Sequence, residues 1–328
     1  LANGQVNKVW DEVIDGYWNK KIQSDQLGNC YVHYVRTGSP VDSLMLTKYN
    51  SKGIKLWDKL VYTYSDSLSD MGFDDFYIDS LNFPIIQFII TDSVSDNHNL
   101  LRCDTAGNFM WTIPLNVQNA RFVFDSHGNI YYEGKSMGQM NLWKYDSMGV
   151  LQYVASRPFT SGSYGPLPMI DGFGNVLFAY KDTIQKVFKV DLSGTIVDSL
   201  FIFENSIYFK LDSQNNLFSA YATSYYGSSS LDSTKFTLQK YDDSLNLIWN
   251  SGPLSFGTIN SMVLDHEDNL YIESMDPIYN SDTMELKIAK MDSNGNILWV
   301  HGFGHDGGLS KYYDVNLVVS PDNYLFLV

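Results

Sequence analysis

Phe124–Gly134 reads FDSHGNIYYEG, and Leu142–Tyr153 reads LWKYDSMGVLQY. Each phrase contains an aspartate, a short turn with glycine and a strand-like run. The two phrases alternate along the chain: the first recurs from Ser24, Ile78, Ile170, Leu211, Leu264 and Val319, and the second from Leu46, Leu100, Val187, Leu238 and Ile288. Self-similarity at a regular period means that each copy is one structural unit.

Each phrase predicts a β-hairpin. The aspartate favours an Asx-turn, and glycine or asparagine near the end of the turn tolerates a positive φ. The flanking runs Arg121–Phe124 and Ile130–Glu133 alternate apolar and polar residues, which is the period of half-buried strands. Two hairpins per repeat predict four strands, A and B around the first turn and C and D around the second. Tryptophans at the D position are expected to cover the flank of the blade, at Trp57, Trp111, Trp249 and Trp299. No stretch keeps a helical period with caps, so we expect almost no helix.

The number of phrases predicts the architecture. Copies of the first turn follow one another at about 49 residues, which is within the range of four-stranded propeller blades. Seven copies of the first phrase and six of the second predict an all-β fold, a seven-bladed β-propeller of four-stranded antiparallel blades. Leu1–Trp10 looks like the end of a seventh C–D hairpin, so we expect this N-terminal strand to pair into the C-terminal blade and close the ring. On this interpretation residues 1–328 are a single domain trimmed from a longer chain.

The alternation of Lys-Tyr-Asp-x-x-Gly-x-x-x-Trp with Asp-x-x-Gly-Asn-x-Tyr resembles the SBBP-type β-propeller repeat of secreted and surface bacterial proteins. Trp299–Gly304 is similar to the Trp…Phe-Gly strand end of that family, although Asn216, Leu245 and Asp268 mark copies that lack the glycine. The resemblance implies an exported bacterial protein that is extracellular or held at the cell surface. A more distant likeness is to quinoprotein propellers, but the alanine and Thr-Gly of their repeat are absent here, which argues against a quinone cofactor.

Composition limits the possible partners. The net charge is −15, and the chain has no basic run. Binding of nucleic acid depends on lysine and arginine that neutralise phosphates, so nucleic acid is not expected as a partner. The longest apolar run, Pro84–Ile90, contains a glutamine and is too short to span a bilayer, so membrane insertion is not expected either. Cys30 and Cys103 fall in different predicted blades, which favours two free buried thiols over a disulfide.

The long loops are the expected place for binding. In a propeller the A–B and C–D turns lie on one face, and the B–C and D–A loops lie on the other. The second set is long and varied here, and variable loops on a rigid scaffold often bind ligands. The predicted loops are Thr63–Asp74, Asp92–Asn99, Ser156–Pro168, Tyr221–Phe236, Ser274–Glu285 and His301–Tyr313. Tyrosine suits sugar or protein recognition because it joins an apolar ring to a hydrogen-bonding tip. The candidate ligand-binding residues are therefore Tyr164, Tyr225, Tyr226, Tyr279, Tyr312 and Tyr313. The alternative is that these are ordinary solvated loops with some tyrosines packed down.

No catalytic, metal or cofactor motif stands out in the sequence. His127 and His266 occupy turn positions and are expected to be solvated, and His33 lies on a predicted strand. The turn aspartates resemble parts of calcium loops, but they lack further carboxylates and a bidentate glutamate, so we expect an Asx-turn role. No metal and no cofactor are predicted. If the protein is an enzyme, the first candidates for its site are His305, Asp306 and Tyr226.

Three functions follow from these observations. The first is a non-catalytic binding or scaffold propeller that recognises a protein segment or glycan through its long loops. The second is a polysaccharide-acting lyase or hydrolase, whose residues would come from several blades around the axis. The third is a module of a larger surface or secretion assembly. A cluster of ionisable residues converging at the channel mouth would favour the enzyme, and a lining of apolar or small residues would exclude it.

Overall fold

The computed structural model describes residues 18–36, 42–64, 70–91, 96–115, 117, 120–159, 162–164, 167–181, 184–202, 206–223, 235–255, 257–277, 284–303, 317–319 and 325–327. Within these ranges all regular structure is β-strand, as predicted. The chain forms two compact units, residues 1–156 (unit 1) and residues 157–328 (unit 2). The prediction of a single domain stays a prediction.

Unit 1 contains three four-stranded antiparallel sheets in chain order. Sheet 1 consists of β1 (Trp18–Ser24), β2 (Cys30–Arg36), β3 (Asp42–Tyr49) and β4 (Lys55–Tyr64). Sheet 2 consists of β5 (Asp70–Ile78), β6 (Pro84–Thr91), β7 (Asp96–Cys103) and β8 (Phe109–Leu115). Sheet 3 consists of β9 (Arg121–Phe124), β10 (Ile130–Ser136), β11 (Gln139–Tyr145) and β12 (Leu151–Pro158), whose last two residues belong to unit 2.

Unit 2 contains three more sheets and a hairpin. In sheet 4 the first position is divided between β13 (Ser163–Tyr164) and β14 (Met169–Ile170), followed by β15 (Val176–Lys181), β16 (Gln185–Val190) and β17 (Ile196–Ile202). Sheet 5 consists of β18 (Ser206–Leu211), β19 (Leu217–Thr223), β20 (Lys235–Tyr241) and β21 (Leu247–Leu254). Sheet 6 consists of β22 (Thr258–Leu264), β23 (Leu270–Pro277), β24 (Met284–Met291) and β25 (Ile297–Phe303), and the hairpin is β26 (Leu317–Val319) with β27 (Leu325–Leu327).

Neighbouring sheets within each unit pack through their apolar faces. In unit 1, Tyr31 and Leu44 of sheet 1 share one buried cluster with Phe76 and Ile86 of sheet 2. The first strands of successive sheets lie against each other, β1 against β5 and β18 against β22. Six antiparallel sheets of four strand positions, stacked in this way, are consistent with a propeller-like fold. The count of seven blades and the closure of the ring stay predictions, and Leu1–Trp10 lies outside the described residues.

All twelve turns described between A and B and between C and D use the same hydrogen bonds. In sheet 3 the N–H of Asp125 donates to the carbonyl of Asn129 at 3.1 Å, and the N–H of Gly128 donates back to Asp125 at 3.0 Å. The third residue after the turn aspartate has a positive φ, which is why glycine is common there.

Three of the turns that lack glycine use an asparagine or aspartate at this position. Asn82, Asn215 and Asp268 have φ between 59° and 67°. Each side chain also accepts a hydrogen bond from a backbone N–H in the preceding sheet; for example, Oδ1 of Asn215 accepts from Gly172 at 2.6 Å. In the turn of sheet 5 the residue that replaces glycine is therefore Asn215. The prediction from the sequence, which named Asn216, was wrong by one residue. The fourth such turn has Leu245, with φ 60°.

Tryptophans of the D strands pack on glycines in the next sheet, as their position predicts. A Cβ atom added at Gly107 would lie 2.7 Å from Cη2 of Trp57, and one at Gly149 would lie 3.0 Å from the ring of Trp111. The indole Nε1 of Trp111 donates to the carbonyl of Ser147 at 3.2 Å. In sheet 4 an aspartate, Asp198, stands at the tryptophan position. The C–D turn of sheet 5, which occupies the place where a glycine would meet that tryptophan, has Leu245 instead. The smaller Asp198 in sheet 4 is therefore matched by the larger Leu245 in sheet 5.

Several strands extend further than the sequence predicted, so the loops are shorter. β4 continues to Tyr64 and β5 begins at Asp70, where a loop from Thr63 to Asp74 was expected. The B–C connection of sheet 3 is only Met137 and Gly138. The two cysteines are free thiols in different sheets, as predicted, but Cys30 is only partly buried. Burial raises the pKa of the Cys103 thiol to about 12.

Candidate functional site

The turn carboxylates are used by the turns themselves. Oδ1 of Asp125 accepts the backbone N–H groups of His127 and Asn129, both at 2.9 Å, and Oδ2 accepts the side-chain amide of Asn129 at 2.7 Å. The same three bonds recur at Asp25, Asp171, Asp212 and Asp265. The predicted Asx-turn role is therefore confirmed for these residues. His127 and His266 are exposed turn residues, also as predicted.

A cation of the C strand pairs with the turn aspartate in most sheets. Lys240 Nζ lies 2.9 Å from Oδ2 of Asp212 and also donates to the carbonyl of Ser293 in the next sheet at 3.2 Å. Equivalent ion pairs join Lys48 to Asp25, Lys189 to Asp171 and Lys290 to Asp265. Burial alone raises the pKa of Asp212, but hydrogen bonds from Asn216 and Lys240 outweigh it and hold this pKa below its usual value. These cations are structural because they tie each turn to its sheet.

Sheet 2 has a variant of this arrangement. Phe83 replaces the asparagine of the turn, and Arg102 replaces the lysine. The Arg102 guanidinium pairs with Asp79, lies 4.7 Å from the Phe83 ring centroid, and donates to the carbonyls of Gly128 and Ser147 in sheet 3. The larger, planar cation therefore supplies the hydrogen bonds that the missing asparagine would give.

A second set of residues, most of them polar, lies at the other end of the sheets, towards the B–C and D–A loops. In each pair, the A-strand residue four positions before the turn aspartate lies directly across from the B-strand residue eight positions after it. We call these the distal pairs. They are Lys21–His33, Asp75–Gln87, Arg121–Glu133, Tyr208–Ala220 and Ser261–Glu273. In sheets 1, 2, 5 and 6 the A strand has an irregular register immediately before its member of the pair. Such bulges re-aim side chains and are common beside functional sites.

The distal pairs of unit 1 are all polar or charged. Lys21 Nζ lies 3.2 Å from Oδ1 of Asp75 and so joins sheet 1 to sheet 2. Both side chains remain accessible, at 49% and 39% exposure. Tyr77 donates its hydroxyl to Oδ2 of Asp75 at 2.9 Å. This ion pair can therefore exchange its contacts for those of a polar ligand.

The three B-strand members in unit 1 are buried, and Arg121 is partly buried. Glu133 is fully buried and accepts the Nε–H of Arg121 at 2.7 Å. His33 is fully buried, with its ring centroid 5.9 Å from that of Phe76. Burial lowers the pKa of His33 to about 3, so this imidazole is neutral at physiological pH. Gln87 is 2% exposed. These residues fix the shape of the region, and Lys21 and Asp75 present its exposed charges.

The distal pairs were not recognised from the sequence, although a signal for them was present. Counting eight residues from each turn aspartate gives His33, Gln87, Glu133 and Glu273 at one position of the repeat. A polar residue at the same place in four B strands is unusual for a position that the two-residue period makes buried.

Most of the residues predicted as a site lie outside the described part of the chain. These are Tyr225, Tyr226, Tyr279, Tyr312, Tyr313, His305 and Asp306. Tyr164 is described, but it belongs to strand β13, where it pairs with Tyr180, instead of the expected loop. The described residues contain no group of three or more histidine, cysteine, aspartate or glutamate side chains placed to hold a metal ion. No described stretch forms a helix of the length and apolar character needed to cross a membrane.

Comparisons with known proteins give structural likenesses only. No protein-family model matches the chain, and no curated protein matches it. An uncharacterized protein from Listeria monocytogenes EGD-e is 11% identical, with a TM-score of 0.47 and coverage of 91% of this chain and 89% of that one. A quinoprotein alcohol dehydrogenase-like protein from Bacteroides thetaiotaomicron is 14% identical, with a TM-score of 0.45 and coverage of 87% and 66%. An ulvan lyase, a polysaccharide lyase, is 10% identical, with a TM-score of 0.43 and coverage of 90% and 73%. Likenesses at this level carry no information on function.

Proposed function

We propose that the protein is a non-catalytic binding propeller, exported to a bacterial surface, that recognises a protein segment or glycan. The recognition surface consists of B–C and D–A loops together with the distal pairs of unit 1. One observation carries the proposal. The residues that recur in every sheet hold the sheets together. The residue four positions before the turn aspartate differs from sheet to sheet, and in sheets 1 and 2 it is Lys21 and Asp75, which keep exposed charges at the loop end.

The chemistry of this surface suits polar ligands. The exposed ion pair offers a cation and a carboxylate close together, and sugar hydroxyls or peptide groups bond to both. Because the chain carries a net charge of −15, a highly anionic ligand would meet overall repulsion. The favoured ligand is therefore a neutral or weakly charged glycan, or a peptide segment without a strong negative charge.

A binding screen with matched variants tests the proposal. The full chain is applied to an array of neutral, uronate-containing and sulfated oligosaccharides and to a peptide library. We expect a hit that Lys21→Ala weakens about tenfold, since an exposed charge that bonds a ligand contributes about 1.4 kcal/mol. Lys52→Ala, at an exposed turn lysine, is the control and should change nothing. Equal weakening by both variants would exclude the distal pairs from the recognition surface. Turnover of a polysaccharide without any detectable binding would overturn the proposed binding function.

One observation favours a polysaccharide-acting lyase or hydrolase as a second candidate. Ionisable side chains stand at equivalent positions of three successive sheets, in the pairs Lys21–His33, Asp75–Gln87 and Arg121–Glu133. Sites assembled from several repeats in this way are typical of propeller enzymes. Product analysis after incubation with uronate-containing polysaccharides separates the two candidates, because a lyase leaves an unsaturated sugar and a binder leaves the polymer intact.

The proposal also includes a ring of seven blades that the N-terminal strand closes. Seven A–B hairpins support it, with β26–β27 as the seventh. An experimental structure with a different number of sheets would contradict this part of the proposal.

A further inference from the structure

Glu273 is a fully buried carboxyl group with few partners. It lies in the middle of β23, opposite Ser261 on one side and Ile288 on the other. Its Oε1 atom accepts one long hydrogen bond, 3.4 Å from Nδ2 of Asn260. Its Oε2 atom is buried and has no hydrogen-bond partner in the described part of the chain. A buried carboxylate without compensation is costly, so this geometry suits the neutral acid.

The position of Asn260 is fixed by the backbone. Asn260 is the extra residue of a β-bulge between Ile259 and Ser261, which turns its side chain towards Glu273. Its backbone carbonyl accepts a hydrogen bond from the hydroxyl of Tyr208, in the neighbouring sheet, at 2.5 Å. The bulge and this hydrogen bond hold the backbone of Asn260 in place, and its side chain gives Glu273 one long hydrogen bond.

The β26–β27 hairpin covers this face of sheet 6. Leu317 of β26 donates its backbone N–H to the hydroxyl of Ser261 at 3.3 Å, and Ser261 is the cross-strand partner of Glu273. Leu317 also packs in an apolar cluster with Tyr271 and Ile288, which stand on the same face as Glu273. In the described part of the chain, the hairpin therefore contacts an apolar cluster next to Ser261 and the buried carboxyl.

Three ionisable side chains lie near Glu273 in the described part of sheet 6. Lys290 shares the face of Glu273 but lies nearer the turn, where it pairs with Asp265 at 3.2 Å. Lys287 points to the other face and pairs with Glu285 at 3.3 Å. His301, opposite Ile288 on β25, is exposed. The described residues of β22 and β26 place only uncharged side chains on this face.

We propose that Glu273 is a pH-sensitive latch that seats the β26–β27 hairpin on sheet 6 while it is protonated and releases the hairpin when it ionises. Burial raises the pKa of the Glu273 carboxyl, and the hydrogen bond from Asn260 offsets this only in part. The folded state therefore holds the proton more tightly than the unfolded chain does. The stabilisation that the latch gives is complete below about pH 4.5, the pKa of this carboxyl in the unfolded chain. It is lost as pH rises through the higher pKa of the folded state.

Hydrogen exchange on the full chain tests the latch. We expect the amides of Leu317–Val319, corrected for intrinsic exchange, to lose about tenfold protection between about pH 5 and about pH 8, because the hairpin opens more often once Glu273 ionises. Glu273→Gln, a neutral isostere, should keep the same protection at both values. Glu285→Gln is the matched control and should retain the wild-type pH dependence.

Two results would overturn the latch. One is wild-type protection that does not change with pH, which needs no variant and so stands even if Glu273→Gln fails to fold. The other is a Glu273→Gln protein that loses protection as the wild type does. Neither result depends on whether the protein binds a ligand, so failure of the latch is distinguishable from failure of the proposed function.

Discussion

The distal pairs of unit 1 and unit 2 differ, although the turns of the two units are alike. In unit 1 the three pairs consist of polar and charged residues, with Lys21 and Asp75 exposed. In unit 2 the equivalent pairs are Tyr208–Ala220 and Ser261–Glu273, and sheet 4 has Ala179 at this place. The turn end of each repeat is constrained by its hydrogen bonds, whereas the distal end varies. Function is therefore to be sought where the repeats differ.

One position of the repeat makes the contrast sharper. His33 in unit 1 and Glu273 in unit 2 both lie eight residues after a turn aspartate, and both are fully buried. Burial lowers the pKa of His33 to about 3 and raises the pKa of Glu273. Burial disfavours the charged form of each, so acid destabilises the first unit at His33 and alkali destabilises the second at Glu273.

The largest expected effect comes from the shared turn framework. Arg102→Met leaves the buried Asp79 without its cation and should cost about 3–5 kcal/mol in free energy of unfolding, measured with urea. Lys240→Met in unit 2 should cost less, because Asp212 keeps the side-chain amide of Asn216 as well as two backbone N–H groups, whereas Asp79 keeps two backbone N–H groups alone. A loss below about 1 kcal/mol for Arg102→Met would mean that the turn pair does not hold sheet 2.

Gly107 tests the packing between sheets of unit 1. Gly107→Ala introduces a Cβ atom 2.7 Å from Trp57 at a residue with φ of 78°. The control, Gly252→Ala in unit 2, has φ of 67° and nothing within 4 Å, so it reports backbone strain alone. We expect the Gly107 variant to lose about 1–3 kcal/mol more than the control, because the tryptophan must move. Equal losses would show that the contact with Trp57 is loose.

The pH dependence of His33 tests the contrast between the units. Its folded pKa lies below its unfolded value of 6.5, so stability is complete above pH 6.5 and is lost as pH falls towards the folded pKa. One proton gives a slope of about 1.4 kcal/mol per pH unit, or about 2 kcal/mol between pH 6.5 and about pH 5. His33→Gln should remove this slope in urea titrations, and the exposed His127→Gln should not. A His33→Gln protein with the wild-type slope would place the acid sensitivity elsewhere.

The sequence predicted the strands and turns because their causes are local. Aspartate and glycine at fixed spacing determine each Asx-turn, and the two-residue alternation determines the strands beside it. Trp57 and Trp111 were placed correctly for the same reason. The predicted loops were too long because apolar alternation fades before a strand ends, so β4 reaches Tyr64 and Tyr164 belongs to β13.

The distal pairs depend on more than local sequence. Which residue of β5 faces Gln87 is decided by the register irregularity between Phe73 and Asp75, and this irregularity leaves no clear mark in the sequence. The ion pair between Lys21 and Asp75 joins two sheets and needs their relative placement. Such contacts follow from the packing of the repeats and not from any one repeat.

The most direct test of this account measures the unfolding free energies of Lys21→Met and Arg102→Met side by side in urea. We expect a loss below about 1 kcal/mol for Lys21→Met, because its ion pair with Asp75 is about half exposed, and a loss of about 3–5 kcal/mol for Arg102→Met. Equal losses, or a larger loss for Lys21→Met, would contradict the division of this chain into a structural turn framework and a distal end that is free to bind.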